Sequence, residues 1–271
     1  LTQNINGWFS RTPTTKRMLR TLDGTARAFL SNRYRRIDNF EVAQTVLPII
    51  GGMEGANIES CELTDSRMYI KVVNPRVTAE IKKGDVVQSG IVITNSEVGM
   101  GSVSVSPLIF RLVCSNGMIA RDAAVRKYHV GRANEGSEDY SIYRDETIEA
   151  DDRAFLMKLE DSVRAAVDQA RFAAIVDKMR EATEVKMEAN MVPQVVELTA
   201  KEYGINEAEG KGILGHLIAG GDLSLYGLAN AVTRQAQDVE SYDRSTELEA
   251  TGYKILTMSP ALWRSVTRER R

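Results

Sequence analysis

Between residues 90 and 130 apolar and polar positions alternate: Ile91 and Ile93, Val103 and Val105, then Ile109, Leu112 and Val113 stand among Ser, Thr and Asn. A period of two sends successive side chains to opposite faces, so this block predicts a half-buried antiparallel sheet. Gly99, Gly101, Pro107 and Asn116-Gly117 punctuate it, and Asn-Gly between apolar runs is a strong hairpin signal. Upstream, strands are predicted over residues 58–63, 68–73 and 86–94, with a shorter lysine-bearing stretch around Ile81 after Pro75. A meander through 102–113 and 118–129 completes the sheet.

The flanking segments change period. Thr12-Pro13 reads as an N-cap followed by a first-turn proline, opening a helix to about residue 30. On it Met18, Leu19, Leu22, Ala26, Phe29 and Leu30 cluster at helical spacing, with Lys16, Arg20 and Arg27 on a separate stripe. Gly24 would weaken or bend that helix, since an interior glycine costs about 1 kcal/mol against alanine. Asp38 or Asn39 caps a second helix carrying Val42, Val46, Leu47 and Ile50, limited by Pro48 and Gly51-Gly52. Residues 131–152 are acidic and read as a solvated linker, with Asp151 and Asp152 suited to the first turn of the next helix. That helix is long and amphipathic, over residues 152–189, with Leu156, Val163, Ala170 and Leu159, Ala166, Ala173 at heptad spacing. Its partner is the sheet or another subunit. From residue 192 onward short helices are separated by Gly204, Gly215, Gly220-Gly221 and Gly252. The pattern predicts an α+β protein: N-terminal helices, an antiparallel β meander, a long amphipathic helix and a helical C-terminal part. A division into residues 1–150 and 151–271 follows, although both parts could pack as one unit.

At 271 residues the chain can bury a large core, and its formal charge of −2 argues against a generally basic coat without excluding a local basic face. Cys61 and Cys114 lie in apolar strand-like runs without CxxC spacing and read as buried free thiols in a reducing compartment. No run approaches the ~20 apolar residues of a membrane span, and Leu-Thr-Gln-Asn-Ile-Asn has no signal architecture. The expectation is a soluble protein of the cytoplasm.

Catalytic signals are weak. The only histidines, His129 and His216, lack partners at triad spacing, and two cysteines with two distant histidines make no zinc pattern. Gly99-Met-Gly101 lacks the third glycine and following helix of a dinucleotide site, and no phosphate-cradling GxxxxGK[ST] loop is present. The sequence therefore implies no cofactor. Glu97 is the one carboxylate worth testing for metal or acid–base work, against its reading as a hydrogen-bonded turn residue. Residues 195–217 resemble a helix-turn-helix, but Glu207, Glu209, Gly210 and Gly212 suit ordinary packing better than a phosphate surface.

The basic N-terminal region is the stronger candidate. Arg11, Lys16, Arg17, Arg20, Arg27, Arg33, Arg35 and Arg36 face only Asp23 over that span. Guanidinium forks match phosphate oxygens, and Tyr34 could stack a base as single-strand binders do. Arg126, Lys127 and His129 would form a second patch. The competing reading makes these arginines the wet face of a helix, or partners of the acidic linker. The leading expectation is an ATP-independent single-stranded-DNA-binding protein that could anneal strands as a homo-oligomer. The alternative is an interaction protein that blocks or titrates a host factor such as a defence system, and a third is an enzyme acting on nucleic acid through carboxylate-bound Mg²⁺, centred near Glu97.

Several segments resemble a phage/plasmid-like protein family whose domain has no assigned function. They are residues 20–35 (RTLDGTARAFLSNRYR), Asp38-Asn39, 90–101 (GIVITNSEVGMG), 110–117 (FRLVCSNG), His129-Val130-Gly131 and 226–248 (YGLANAVTRQAQDVESYDRSTEL). The resemblance implies a phage, prophage or plasmid context and brings no catalytic residues. In element order alone, the chain also looks like the core of single-strand annealing proteins from phage recombination systems, which form rings or filaments and bind DNA along a basic groove without ATP.

Overall fold

The computed structural model describes residues 17–31, 34, 36–121, 125–127, 145–166 and 169–267. The first element is a two-stranded antiparallel ribbon, β1 (Arg17–Leu22) and β2 (Thr25–Ser31), where a helix is expected from the apolar spacing. Asp23 and Gly24 join the strands with φ of 49° and 77°, the two left-handed positions that a primed hairpin turn demands. Asp-Gly thus overrides the helical spacing of Met18, Leu22 and Phe29, and Gly24 is the turn itself. The register slips between Arg20 and Thr21, which leaves Arg27 as a bulge residue without a cross-strand partner.

Helix α1 (Asn39–Gly52) starts at the expected cap: Asp38 N–H donates to Glu41 Oε2 at 3.1 Å. It runs through Pro48 and ends at the Gly51-Gly52 pair. The sheet follows, with β3 (Asn57–Leu63), β4 (Met68–Lys82), β5 (Asp85–Asn95), β6 (Val103–Arg111) and β7 (Asn116–Ile119) antiparallel and in sequence order. Strand β8 (Val125–Lys127) pairs with the part of β6 that β7 leaves open, opposite Val103–Val105. Pro75 does not end a strand: β4 continues through an irregularity between Asn74 and Thr78, so the lysine-bearing stretch is its far end. Asn116-Gly117 does not make the turn either. Residues 112–115 turn, with Ser115 at φ 50°, while Asn116 and Gly117 pair with Arg111 and Phe110.

The helical part comprises α2 (Asp145–Ala166), α3 (Gln169–Glu184), α4 (Val192–Glu202), α5 (Glu207–Gly220), α6 (Leu225–Gln235), α7 (Tyr242–Leu256) and α8 (Pro260–Val266). The expected long helix is described over Asp145–Ala166 and Gln169–Glu184, with residues 167–168 outside the described residues; it begins at Asp145, so Asp151 and Asp152 lie past its first turn. Of the acidic linker, residues 131–144 lie outside the described residues. Of the expected heptad seam, Leu156, Leu159 and Val163 pack within the chain, whereas Ala170 and Ala173 are exposed. Phe155, Leu159 and Val163 of α2 join Val42, Val46 and Ile49 of α1 against Ile70, Val72, Ile91, Ile93, Val103 and Val105. Phe172, Ile175, Val176 and Met179 of α3 enter a second cluster that links Ile81, Val87, Ile109 and Met118 of the sheet to α4 through α8. At about 1.5–3 kcal/mol per fully buried aliphatic or aromatic side chain, this shared core binds helices to sheet.

The cysteines depart from expectation: Cys61 is exposed on edge strand β3, and Cys114 is half-buried in the 112–115 turn. Among the described residues no helix is long and apolar enough to cross a membrane.

Candidate functional site

The pleat gives the sheet two faces of different chemistry. One is apolar and covered by α1 and α2. On the other, cross-strand register makes rows: Tyr69 opposes Thr94, which opposes Ser104; Lys71 opposes Val92, which opposes Ser106. Helix α7 covers one end of this second face through Ala250, which joins Val73, Val92, Leu108 and Ile119 in a small apolar cluster. Close approach there explains Gly117, where a Cβ would stand 2.9 Å from Leu108 Cδ1 and 3.1 Å from Glu249 Oε1. Beside that contact, Lys71 Nζ meets Glu249 Oε2 at 2.6 Å and lies 4.8 Å from the centre of the Tyr242 ring. Burial pushes the Glu249 carboxyl above its ordinary range although Lys71 and Arg121 pull it down.

What α7 leaves uncovered is a cleft of about 480 Å³. Its floor is Val92, Thr94, Ser104, Ser106 and Ile119, and its walls carry Arg67, Arg121, Lys254 and Thr246. Three cations and a row of hydroxyls therefore share one concavity, and no carboxylate is among the described residues that line it. Thr94 and Ser104 hydroxyls stand 2.8 Å apart. Thr246 is 1 % exposed and its Oγ1 has no hydrogen-bond partner. Arg67 sits in the β3–β4 turn, where Nη2 donates to Met100 O. Behind it Asp243 accepts from Thr64, Ser66 and Tyr69, at 3.0 Å from Thr64 and 2.7 Å from Tyr69. Burial opposes ionisation of Asp243, but those donors and nearby Arg67 hold it below the usual carboxylate range.

The expected arginine cluster does not form an open track among the described residues. Arg20 donates to Asp38 Oδ1 at 2.8 Å and lies 3.4 Å from Glu97 Oε2. Arg27, on the bulge, donates to the Asp65 carbonyl. Arg36 is 65 % exposed in its side chain yet 3.4 Å from Asp38 Oδ2. Arg17 is exposed at the start of the ribbon. Tyr34 does not present a ring for stacking: it is buried, its hydroxyl donates to Ser96 O at 2.8 Å, and burial pushes its pKa to about 12. Arg33, Arg35 and His129 lie outside the described residues. Arg126 and Lys127 are in β8, where the register sets Arg126 opposite Ser104, a residue of the cleft floor, and Lys127 opposite Val103.

The other candidates resolve as structure. Glu97 Oε1 accepts the Asn39 N–H at 2.7 Å, securing the start of α1. His216 Nε2 meets Asp238 Oδ2 at 2.6 Å on the helical part. The helix-turn-helix lookalike, α4 and α5, buries Val195, Val196, Ile213 and Leu217 in the common core. Sequence reasoning missed Arg67, Arg121, Thr246 and Lys254. Its one available signal was the alternation Ser102, Ser104, Ser106, which marks a polar face on an otherwise buried strand.

No curated protein and no solved structure matches the chain. A family model described as a domain of unknown function, DUF932, matches residues 28–251, a span that takes in the end of the second ribbon strand, the whole sheet and the cleft apart from Lys254. The chain belongs to the DUF932 family.

Proposed function

We propose that this protein binds single-stranded DNA without ATP, with backbone phosphate held in the cleft between Arg67, Arg121 and Lys254. The observation that carries the reading is the convergence of three cations on a hydroxyl-floored concavity lined by no described carboxylate. Charge-assisted hydrogen bonds from guanidinium and ammonium groups are about twice as strong as neutral ones, and Ser and Thr hydroxyls are common phosphate donors. The ribbon supports the same end of the molecule. Arg27 reaches Asp65 beside Arg67, and the Ser96 to Met100 loop receives hydrogen bonds from both Tyr34 and Arg67. Strand annealing as an oligomer extends the proposal. Its support is the outer edge of β3, which no described strand pairs, with Ile58 and Leu63 exposed, together with the likeness in element order to phage annealing proteins. A phage or plasmid origin and action in the host cytoplasm are proposed from the resembling segments.

The test is fluorescence anisotropy with a labelled oligonucleotide at rising salt. For single strands log K falls with log salt at about 0.7 per phosphate neutralised, so the cleft gives a slope between about −0.7, for one phosphate shared by the three cations, and about −2, for one phosphate each. Replacing Arg67, Arg121 and Lys254 together by Ala should abolish both affinity and slope. Binding that is absent at low salt, independent of salt, or untouched by the triple variant removes the proposal.

A further inference from the structure

We infer that the groove between α4 and α5 is a two-fold interface, across which the same two helices of a second copy pack. The inference deepens the oligomer half of the proposed function, on which it rests, and is independent of strand binding.

The groove lies on the helix pair that resembles a helix-turn-helix. It measures about 340 Å³, and the described residues that line it all belong to α4, α5 and the turn between them. Val196 and Ile205 are its buried floor, with Ala200 and Leu214 half-buried beside them. Ile218 stands one turn past Leu214 on the same side of α5 and is 63 % exposed. An apolar surface that is continuous and edged by charge marks a place of association.

Gly210 points to an occupant independently. An interior glycine is a poor helix former, so its place within α5 needs a physical reason. Packing inside the chain supplies none, because a Cβ at Gly210 would meet Ala200 Cβ at 3.8 Å, an ordinary contact. Gly212 differs, since a Cβ there would collide with Gln235 within the fold. What a methyl at position 210 would do is fill the groove, which Gly210 lines. The glycine keeps that space open for another surface.

The rim says which surface. It carries Glu197 and Lys201 on α4 and Glu207 and Lys211 on α5, two acids and two bases. Such a rim has no net charge to draw a nucleic acid, an anionic lipid surface or a peptide of one sign. Glu207 and Lys211 satisfy each other at 2.7 Å. Glu197 and Lys201 are exposed and join no ion pair among the described residues. Their order along α4 complements itself. A two-fold axis sets a second α4 antiparallel to the first, so that Glu197 meets the partner's Lys201 and Lys201 meets the partner's Glu197. This reciprocity is what an isologous interface requires.

The test is sedimentation velocity of the full chain over a range of concentrations, with oligonucleotide anisotropy on the same samples. Ile218→Glu, at an exposed position, should melt within about 2 °C of wild type and raise the dissociation constant more than tenfold, since each chain loses one buried apolar side chain. Gly210→Ala should raise the melting temperature of the dilute monomer by about 2–4 °C and yet weaken association about tenfold. A glycine with a merely structural role would not move the two in opposite senses. Glu197→Lys and Lys201→Glu should each weaken association, while the double variant and an equal mixture of the two single variants should both recover it. Strand affinity per chain should stay at the wild-type level throughout, because no groove residue lines the cleft. An assembly indifferent to Ile218→Glu and Gly210→Ala overturns the inference and leaves the oligomer standing. A double variant no better than the single ones overturns the two-fold arrangement. A wild-type chain that stays monomeric at every concentration overturns the inference and the oligomer together, and neither result bears on strand binding.

Discussion

The ion pair behind the cleft gives the sharpest stability prediction. Lys71 and Glu249 are 9 % and 10 % exposed in their side chains and 2.6 Å apart, with Lys71 over the Tyr242 ring. Lys71→Met keeps the volume and removes the cation, leaving Glu249 buried without its partner. Breaking a buried pair in this way costs about 3–5 kcal/mol. At about 2–4 °C per kcal/mol for a chain of this size, the melting temperature should fall by about 6–20 °C at pH 7. The pH dependence has a definite sign. A carboxyl whose folded pKa is raised contributes stability that is fully present below its ordinary value of 4.5 and is lost as pH rises through the folded value. Losing Lys71 raises Glu249 further, so the deficit of the variant should be largest at pH 7 and should shrink at pH 5. Lys71→Met with Glu249→Leu should recover most of the loss, because apolar replacement of a buried pair is neutral or stabilising. Thermal melts of wild type, single and double variants at both pH values test this. A Lys71→Met deficit under about 1 kcal/mol, or one that is the same at pH 5 and pH 7, would refute the picture of a dry pair between α7 and the sheet.

Further variants address the other contacts. Arg244→Leu should destabilise by about 1–3 kcal/mol at pH 7, since Arg244 donates to Glu209 at 2.8 and 2.7 Å and Glu209 is buried. Arg244 holds the Glu209 carboxyl down, so its contribution is present above 4.5 and is lost as pH falls through the lowered folded value, below which the wild-type and variant melts should converge. Gly117→Ala should cost about 1–3 kcal/mol by urea denaturation, because the new methyl must displace Leu108 or Glu249. Gly24→Ala meets nothing within 4 Å yet sits at φ +77°, so its penalty, about 1–2 kcal/mol of local strain, should appear as fraying of the ribbon in hydrogen exchange with no loss in the sheet.

The sheet was legible because alternation is local: Ile91, Ile93, Val103 and Val105 each declare their face within a few residues. The ribbon was misread because two local signals conflict, and the turn chemistry of Asp23-Gly24 prevails over a stripe of apolar residues that two strands can also display. Asn116-Gly117 shows the reverse, a turn dipeptide placed in a strand, where the missing side chain of Gly117 lets Leu108 and Glu249 approach the backbone. Charge was the least legible property. The arginines of residues 17–36 stand out by density, but the availability of Arg20, Arg27 and Arg36 is set by Asp38, Asp65 and Glu97, which the turn into β4, the loop after β5 and the start of α1 bring alongside them. The cleft inverts that relation. Arg67, Arg121 and Lys254 are unremarked in sequence, each separated from the others by whole elements, and they converge because Gly117 and the Lys71–Glu249 pair seat α7 across the sheet. A count of basic residues along a chain measures how much charge is present, whereas the folded positions of the carboxylates decide where it can act. The Ser102, Ser104, Ser106 alternation was the one local trace of that place, since a strand buried on one face carries hydroxyls on the other only where that face stays open to solvent or ligand.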